Sequence, residues 1–334
     1  MRAAVFRGVR QMPVEQIPEP VAGVDDIVIG VRAAGVCGSD LHAYTAGKFA
    51  GGPGQVMGHE FAGEVVSVGA NVRDIATGDR VTAVPIQPCG DCDRCRAGIG
   101  HLCSVWNTRS VAFGLPGAFA ERVRVPDAVL GGNVHRLPDT VPYESGALVE
   151  PTSVAVHGVR QAAPEPGQAA VVLGLGTIGL QIAQVLAAYG IGPVIGVDRS
   201  ALRRETAAEL GVTVLEDAAE LDDDTADVVF EVTGAAPLLQ RAVELARPRG
   251  TVGVVALYEH PGELDANDVV HKEVTLRGSA LVTPEDFGTS LDLLSAGSVA
   301  AAPLITHRLP LDAIAEAFET QLDAAATIKV MITE

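Results

Sequence analysis

The chain has 334 residues, more than one domain of usual size and enough for two. Its 48% hydrophobic and 20% charged residues exclude a largely disordered or collagen-like chain. With 42 acidic against 24 basic residues, a net charge of -18 and only 4% aromatics, it repels phosphate backbones and anionic lipid and offers few rings to stack on bases, so neither nucleic acid nor a membrane is expected as a partner.

The N-terminal MRAAVFRGVRQMPVEQIPEP carries arginines but no apolar run and no small-residue cleavage pattern; no export signal is read, and a cytoplasmic protein is expected. Short β segments fill the first third: MRAAVF, DIVIGVRAAGV, FAGEVVSVGANV, GDRVTAV and AFAERVRV, parted by Gly, Pro and Asp turns. They predict a partly open barrel or sandwich. Within it, GVCGSDLH carries Cys37, and MGHEFAGEVV brings His59 and Glu60 just before a strand. Cys, His and Glu are ligand types of a catalytic zinc, which keeps one position open, although a lone cysteine is by default a small buried hydrophobe. Next, PCGDCDRCRAGIGHLC gathers Cys89, Cys92, Cys95 and Cys103. Without an export signal disulfides are not expected, and four thiolates so spaced wrap one tetrahedral zinc, holding in shape a lobe with few large apolar residues. A redox switch is the lesser alternative. His101 inside the lobe reads as a bystander.

The texture changes near Glu150. That residue ends the apolar run GALVE, where a carboxylate is costly to bury without a cation or hydrogen bonds, and Pro151 is expected to hold its backbone extended. Glu150 therefore reads as a metal ligand or a direct neighbour of one. PTSVAVHGVRQAA predicts a helix, and PEPG at 164–167 breaks it. Strand and helix then alternate through AAVVLGLG, TIGLQIAQVLAAYG, PVIGVD, SALRRETAAELG, DVVFEVTG, PLLQRAVELARPRG and TVGVVALY, which predicts a doubly wound parallel sheet. Gly167 to Val197 lacks any charge and is long enough to span a bilayer, but Gly174, Gly176, Gly179, Gly190, Gly192 and Pro193 cut it into strand, turn, helix and turn.

Strand AAVVL runs into Gly174, Leu175, Gly176, Thr177, Ile178 and Gly179 and then a helix, the setting that gives G-x-G-x-x-G its meaning. Gly174 permits the tight turn, Gly176 lets the backbone approach a pyrophosphate, and Gly179 lets helix and strand pack closely. Asp198 ends the next strand, where a carboxylate takes ribose hydroxyls and repels a 2′-phosphate; NAD is favoured, with Arg199, Arg203 and Arg204 keeping NADP as the alternative. TLRGSALV and PEDFGTSLDLLSAG close the sheet, and LITHRLPLDAIAEAFETQLDAAATIKVMIT adds a strand, an amphipathic helix and a strand that returns to the first domain.

In GVCGSDLH, GHEFAGEVVSVG, the four-cysteine lobe, LVEPTSVAVHGV, GLGTIG and VIGVD the chain resembles the zinc-dependent medium-chain dehydrogenase/reductase family along essentially its whole length. The resemblance implies an α/β protein: a GroES-like β-rich catalytic domain at 1–152 with a structural-zinc lobe at 86–104, a Rossmann NAD-binding domain at 153–299, and a return to the catalytic domain at 300–334. It places Cys37, His59 and Glu60 at the catalytic zinc, with Glu150 matching a glutamate that binds the metal directly or through water; which glutamate binds stays open. Ser39 matches the hydroxyl that passes a proton toward the cofactor ribose, His42 the next relay member, and Asp40 a partner that orients His59. Thr177 and Ile178 are implied at the pyrophosphate or nicotinamide, Arg203 at the adenine end, and Ala256, Leu257 and Ser279 near the nicotinamide. Glu150 in LVEP is similar to the branch holding sorbitol, threonine and butanediol dehydrogenases. That implies two zinc ions per subunit and NAD-dependent oxidation of a polyol, sugar derivative, vicinal diol or amino alcohol, or reduction of the matching ketone. A simple alcohol dehydrogenase, a non-catalytic NAD-binding protein on the same fold and a zinc hydrolase are the alternatives, the last lacking H-E-x-x-H. Specificity is expected from the loop bearing Tyr44 and Phe49 and from SVWNTRSVAFGLPG with Trp106 and Asn107. A homodimer or homotetramer is implied, extended across subunits at the strand near TVGVVALY.

Overall fold

The computed structural model describes residues 1–48 and 51–333. Strands β1 (Arg2–Ala4) and β2 (Val14–Gln16) pair as a separate ribbon. The spine of the first half is β3 (Ile27–Gly35), buried at both ends. Helix α1 (Gly38–Ala46) follows at once: the Asp40 carboxylate accepts the Cys37 backbone N–H at 3.0 Å, and Gly47 at φ 65° ends the helix. Next come β4 (Glu60–Val68) and β5 (Arg80–Ala83), α2 (Asp93–Arg96) within the cysteine lobe, β6 (Arg122–Val125) and β7 (Val134–Arg136). Helix α3 (Tyr143–Ala147) leads almost directly into α4 (Val149–Ala162). The extended backbone expected at Glu150 is therefore not observed. Glu150 and Pro151 lie in the first turn of α4, where proline's missing N–H costs no helical bond, and this outweighs the usual bias of the residue before proline.

The second half alternates β8 (Ala170–Leu173), α5 (Thr177–Ala188), β9 (Val194–Val197), α6 (Ala201–Glu209), β10 (Thr213–Leu215), β11 (Ala226–Glu231), α7 (Ala236–Leu245), β12 (Ala246–Val254), α8 (Ala266–Lys272) and β13 (Thr275–Gly278). Its six strands are parallel in the order β10-β9-β8-β11-β12-β13, the doubly wound arrangement expected from the alternation. Helix α7 is shorter than expected: ARPRG opens β12, because Ala246 pairs with Ala226 and Pro248 cannot continue a helix. Strand β12 is paired on both sides, so TVGVVALY has no edge to offer another subunit; the sheet's edges are β10 and β13, and the one beside β12 is β13.

Helix α9 (Pro284–Ser295) packs on α4, and β14 (Ile305–Leu309), α10 (Ile314–Leu322) and β15 (Lys329–Thr333) complete the described chain. Strand β15 lies parallel to β14 and antiparallel to β3, giving the mixed sheet β14-β15-β3-β4-β5-β7 with β6 also on β3. Met331 and Glu60 both stand opposite Gly35, so the ends of β15, β3 and β4 meet at one point. Separate apolar clusters fill the two sheets, and a third, with Ile86, Leu137, Leu148, Val149, Phe287 and Leu291, lies where α4 and α9 meet the mixed sheet. No helix among the described residues is long and apolar enough to cross a membrane.

Candidate metal centres and cofactor site

At that meeting point the Cys37 thiol, a His59 ring nitrogen and a Glu60 carboxylate oxygen all lie within 4.8 Å of one another. Local sequence puts them there: Cys37 caps α1, and His59 and Glu60 open β4. Gly35 is required opposite, since a Cβ on it would fall 2.0 Å from Glu60 Oε2. His59 and Glu60 are buried, and His59 Nδ1 has no hydrogen-bond partner. Asp40 Oδ1 stands 3.7 Å from that nitrogen, beside the ring but beyond hydrogen-bond reach. A buried imidazole nitrogen converging with a thiol and a carboxylate oxygen is a donor set that suits a metal ion.

Sequence reading missed Lys329. Only 2% exposed, it donates to both Glu60 oxygens at 2.8 and 2.7 Å and to Val36 O at 2.9 Å. Glu150, 8% exposed, lies close enough to His59, Glu60, Lys329 and Asp40 to feel their charges, but its carboxylate is outside the converging trio. Burial above all, with Glu60 and Asp40 adding to it and His59 and Lys329 opposing, raises its pKa to about 7. Burial alone would lower the His59 pKa; the charges of Asp40 and Cys37 reverse this and hold it well above the usual value. Three carboxyl groups, of Asp40, Glu60 and Glu150, and the Cys37 thiol thus gather around one buried lysine, a site where a cation would ease ionisation. Ser39 and His42, on successive turns of α1, are both half-buried, and His42 Nδ1 lies 2.7 Å from Glu259 Oε1.

The four lobe cysteines form the second converging group. Their sulfurs stand 3.9 Å apart for Cys89 and Cys95, 3.5 Å for Cys92 and Cys95, and 3.8 Å for Cys92 and Cys103. The edge of a tetrahedron with zinc–sulfur bonds of about 2.3 Å is about 3.8 Å, so the lobe fits zinc. Backbone N–H groups of Asp91 and Cys92 point at Cys89 Sγ, and that of Cys89 at Cys103 Sγ. Hydrogen bonds from Ser104 and Cys95 draw the Cys92 thiol down to about 5, while burial and then Cys92 push Cys95 up to about 11. Four sulfurs so close could all ionise only with a cation among them. His101 stays outside the group; burial lowers its pKa, and its ring packs 5.1 Å from that of His157, itself 2.7 Å from Asp286.

In the glycine turn, Gly174 has φ 97°, and a Cβ on Gly179 would fall 1.8 Å from Gly174 O. A Cβ on Gly176 would meet only the Arg203 guanidinium, 3.7 Å away, so the space before α5 is an open cradle that suits a dinucleotide. Asp198 accepts the N–H groups of Leu175 and Ser200, each at 2.8 Å, and lies 3.6 Å from Arg203. Arg203 donates to Thr327 O, and Thr177 Oγ1 to Ile328 O at 3.0 Å. Ile178 packs against the parallel-sheet core. Ala256 and exposed Leu257 follow β12, and Ser279, after β13, has a buried hydroxyl without a partner. Sequence reading also missed buried Glu231 at the end of β11, which accepts from Thr233 and the Tyr258 hydroxyl.

Tyr44 does not line a substrate mouth: it is core, its ring tilted against Phe318 with centroids 4.8 Å apart and its hydroxyl on Glu319. Its neighbour in the same expectation, Phe49, lies outside the described residues. Asn107 is exposed, whereas Phe113 packs 5.3 Å from His59 and Trp106 packs 4.9 Å from Phe113.

Two family descriptions match the chain: an alcohol dehydrogenase GroES-like domain over residues 23–139 and a zinc-binding dehydrogenase over residues 174–296. The chain is 33% identical to the (R,R)-butanediol dehydrogenase of Bacillus subtilis (strain 168), covering 99% of each chain. It is 30% identical to the sorbitol dehydrogenase of the same organism, covering 99% of this chain and 97% of that one. Among solved structures, a protein described as a zinc-binding dehydrogenase from Sinorhizobium meliloti 1021, bound to NADP, superposes with a TM-score of 0.92 at 31% identity, covering 100% of this chain and 99% of the other.

Proposed function

Because the chain belongs to the zinc-dependent medium-chain dehydrogenase/reductase family, we propose that it interconverts a secondary alcohol and its ketone with NAD, the alcohol being that of a polyol, sugar derivative, vicinal diol or amino alcohol. The observation that carries this reading is the convergence of Cys37, His59 and Glu60 beside a helix that also bears Ser39 and His42. Bound zinc supplies a Lewis acid that eases loss of the alcohol's proton, and bound nicotinamide supplies the hydride acceptor. Cys37, His59 and Glu60 would hold that metal, with Glu150 next to these ligands, and Cys89, Cys92, Cys95 and Cys103 would hold the structural one. Ser39 Oγ takes up the alcohol's proton, and His42, a turn further along α1, releases it to solvent. Phe113 and Trp106 keep water from the His59 side.

Gly174, Gly176 and Gly179 cradle the pyrophosphate, with Thr177, Ile178 and Arg203 along it and Ala256, Leu257 and Ser279 toward the nicotinamide. Asp198, fixed by two backbone donors, supports NAD over NADP. We assign residues 1–152 and 300–334 to the catalytic domain and 153–299 to the nucleotide-binding domain. The protein works in the cytoplasm on a small molecule, as a homo-oligomer joined at β13.

The test is formation of reduced nicotinamide by zinc-loaded protein on a panel of polyols, vicinal diols, amino alcohols and simple alcohols. Turnover of a diol, sugar alcohol or amino alcohol with NAD is expected. Turnover of simple alcohols alone would overturn the substrate class.

A further inference from the structure

Helix α1, which bears Ser39 and His42, belongs to the mixed-sheet half of the molecule. One partner of His42 does not. Its Nδ1 lies 2.7 Å from Oε1 of Glu259, in the loop that follows β12 of the parallel sheet. Lys48, just beyond the end of α1, donates from Nζ to Glu259 O at 3.5 Å, so side chain and backbone of one residue both face this helix end. The same loop carries Ala256 and Leu257, and its Tyr258 is tied to buried Glu231 through the phenol hydroxyl. Glu259 thus stands on an anchored loop. Among the described residues, the groups facing its carboxylate are His42, Lys48 and His260, and the hydrogen bond from His42, followed by these positive charges, holds its pKa below the usual carboxylate value.

The pair is 25% exposed at His42 and 47% at Glu259, where an ion pair adds little to stability. What it adds is geometry. A neutral imidazole has one N–H and one basic nitrogen, and the partner of the first decides which is which. A carboxylate accepts and does not donate, so beside it Nδ1 keeps its hydrogen and Nε2 keeps its lone pair.

We propose that Glu259 is a positioning residue for proton release: by accepting the Nδ1–H of His42 it fixes the ring so that Nε2 is the proton acceptor, and it does so from the loop that carries the nicotinamide contacts. The inference relies on the reading of Ser39 and His42 given above. The balance is simple. The alcohol carbon loses a hydride to the nicotinamide, the alcohol oxygen loses a proton that reaches His42 Nε2, and Nε2–H then gives it to water. Glu259 stays ionised throughout and neither gains nor loses an atom.

The experiment compares wild type with Glu259→Ala and Glu259→Gln, the latter keeping an oxygen that can accept the same hydrogen bond but no charge. Nitrogen-15 shifts of labelled His42, assigned by loss of the signal in His42→Gln, are read near neutral pH in zinc-loaded, cofactor-free protein. Wild type is expected to show a protonated Nδ1 and a basic Nε2; Glu259→Ala is expected to mix the two tautomers, and Glu259→Gln to restore most of the preference. At neutral pH kcat should fall about tenfold in Glu259→Ala, part of what a general base contributes. The KM of the alcohol should barely change, the loss should shrink as pH rises, and no further loss should follow when Glu259→Ala is added to His42→Gln. Unchanged nitrogen shifts with an unchanged pH profile, or a full tenfold loss added to His42→Gln, would overturn the proposal. If Glu259→Ala does not fold, Glu259→Leu and Glu259→Gln carry the same comparison. A wild type inactive with every alcohol would overturn the dehydrogenase reading, whereas the nitrogen shifts judge Glu259 alone.

Discussion

Gly176 and Gly179 share one turn but answer to different demands. A side chain at Gly179 would collide with Gly174 O, whereas at Gly176 it would enter open space from a backbone at φ -67° that any L-residue adopts. Gly179→Ala should therefore cost about 3 kcal/mol or more of stability by overpacking rigid backbone. Gly176→Ala should stay within about 1 kcal/mol of wild type in urea unfolding yet weaken NAD binding at least about tenfold in a calorimetric titration. Equal losses of stability would remove the distinction. Asp286 gives a second prediction. Burial alone would raise its pKa, but His157 and Thr283 bring it down to about 2 from 3.8. A carboxyl so depressed stabilises the fold fully above the unfolded value and loses that contribution as pH falls toward the folded one. The shift corresponds to about 2 kcal/mol. The stability gap between wild type and Asp286→Asn should be flat from about pH 7 to 5 and narrow below about pH 4; a gap that widened in acid would contradict it. Residues with local meaning were legible in the sequence: the glycines, the clustered cysteines, and His59 beside Glu60. Lys329 and Glu259 were not, because their partners lie 269 and 217 residues away and no local spacing announces such a pair.

At the scale of elements, the cysteine lobe contains one four-residue α-helix, one turn of 3-10 helix and little core, with Asp91, Asp93 and Arg94 on its surface. Its shape therefore depends on the metal. Cys103, the last of the lobe's four cysteines, is followed by the turn of Trp106, whose backbone N–H reaches Cys103 O at 3.3 Å. Cys92→Ser should first lower the thermal midpoint and release one metal equivalent, and only then weaken substrate binding through Trp106 and Phe113. Unfolding at an unchanged midpoint would argue against a structural metal. The longer elements were legible because hydrophobic period and turn residues agree there, as in AAVVLGLGTIG. Strands β2 and β7, three residues each, and the seven-residue α8 are too short to show a period. Helix α1 escaped because its sequence, GSDLHAYTA, reads as a loop until the Asp40 cap and its packing on Phe318 are seen.

For the whole molecule, the edge of the parallel sheet opposite β10 is β13, every residue of it exposed, with Leu276 39% and nearby Val270 70% accessible. A bare strand edge with apolar neighbours invites pairing. If β13 joins subunits, Leu276→Lys should shift the mass measured by light scattering toward the monomer; an unchanged assembly would place the interface elsewhere. The alternation of strands and helices made the parallel sheet legible, but which strand ends it depends on the order of assembly in space, and TVGVVALY proved to be interior.

The seat of β15 beside β3 has a consequence for synthesis. Gly35 leaves the ribosome roughly 300 residues ahead of Met331, its partner across the sheet, and at ordinary translation rates this is a wait of about 15 to 60 s. During that time β3 has an unfilled edge and Glu60 lacks its lysine. The nascent first half must stay unfinished while the parallel sheet, whose strands follow one another closely, is already able to fold.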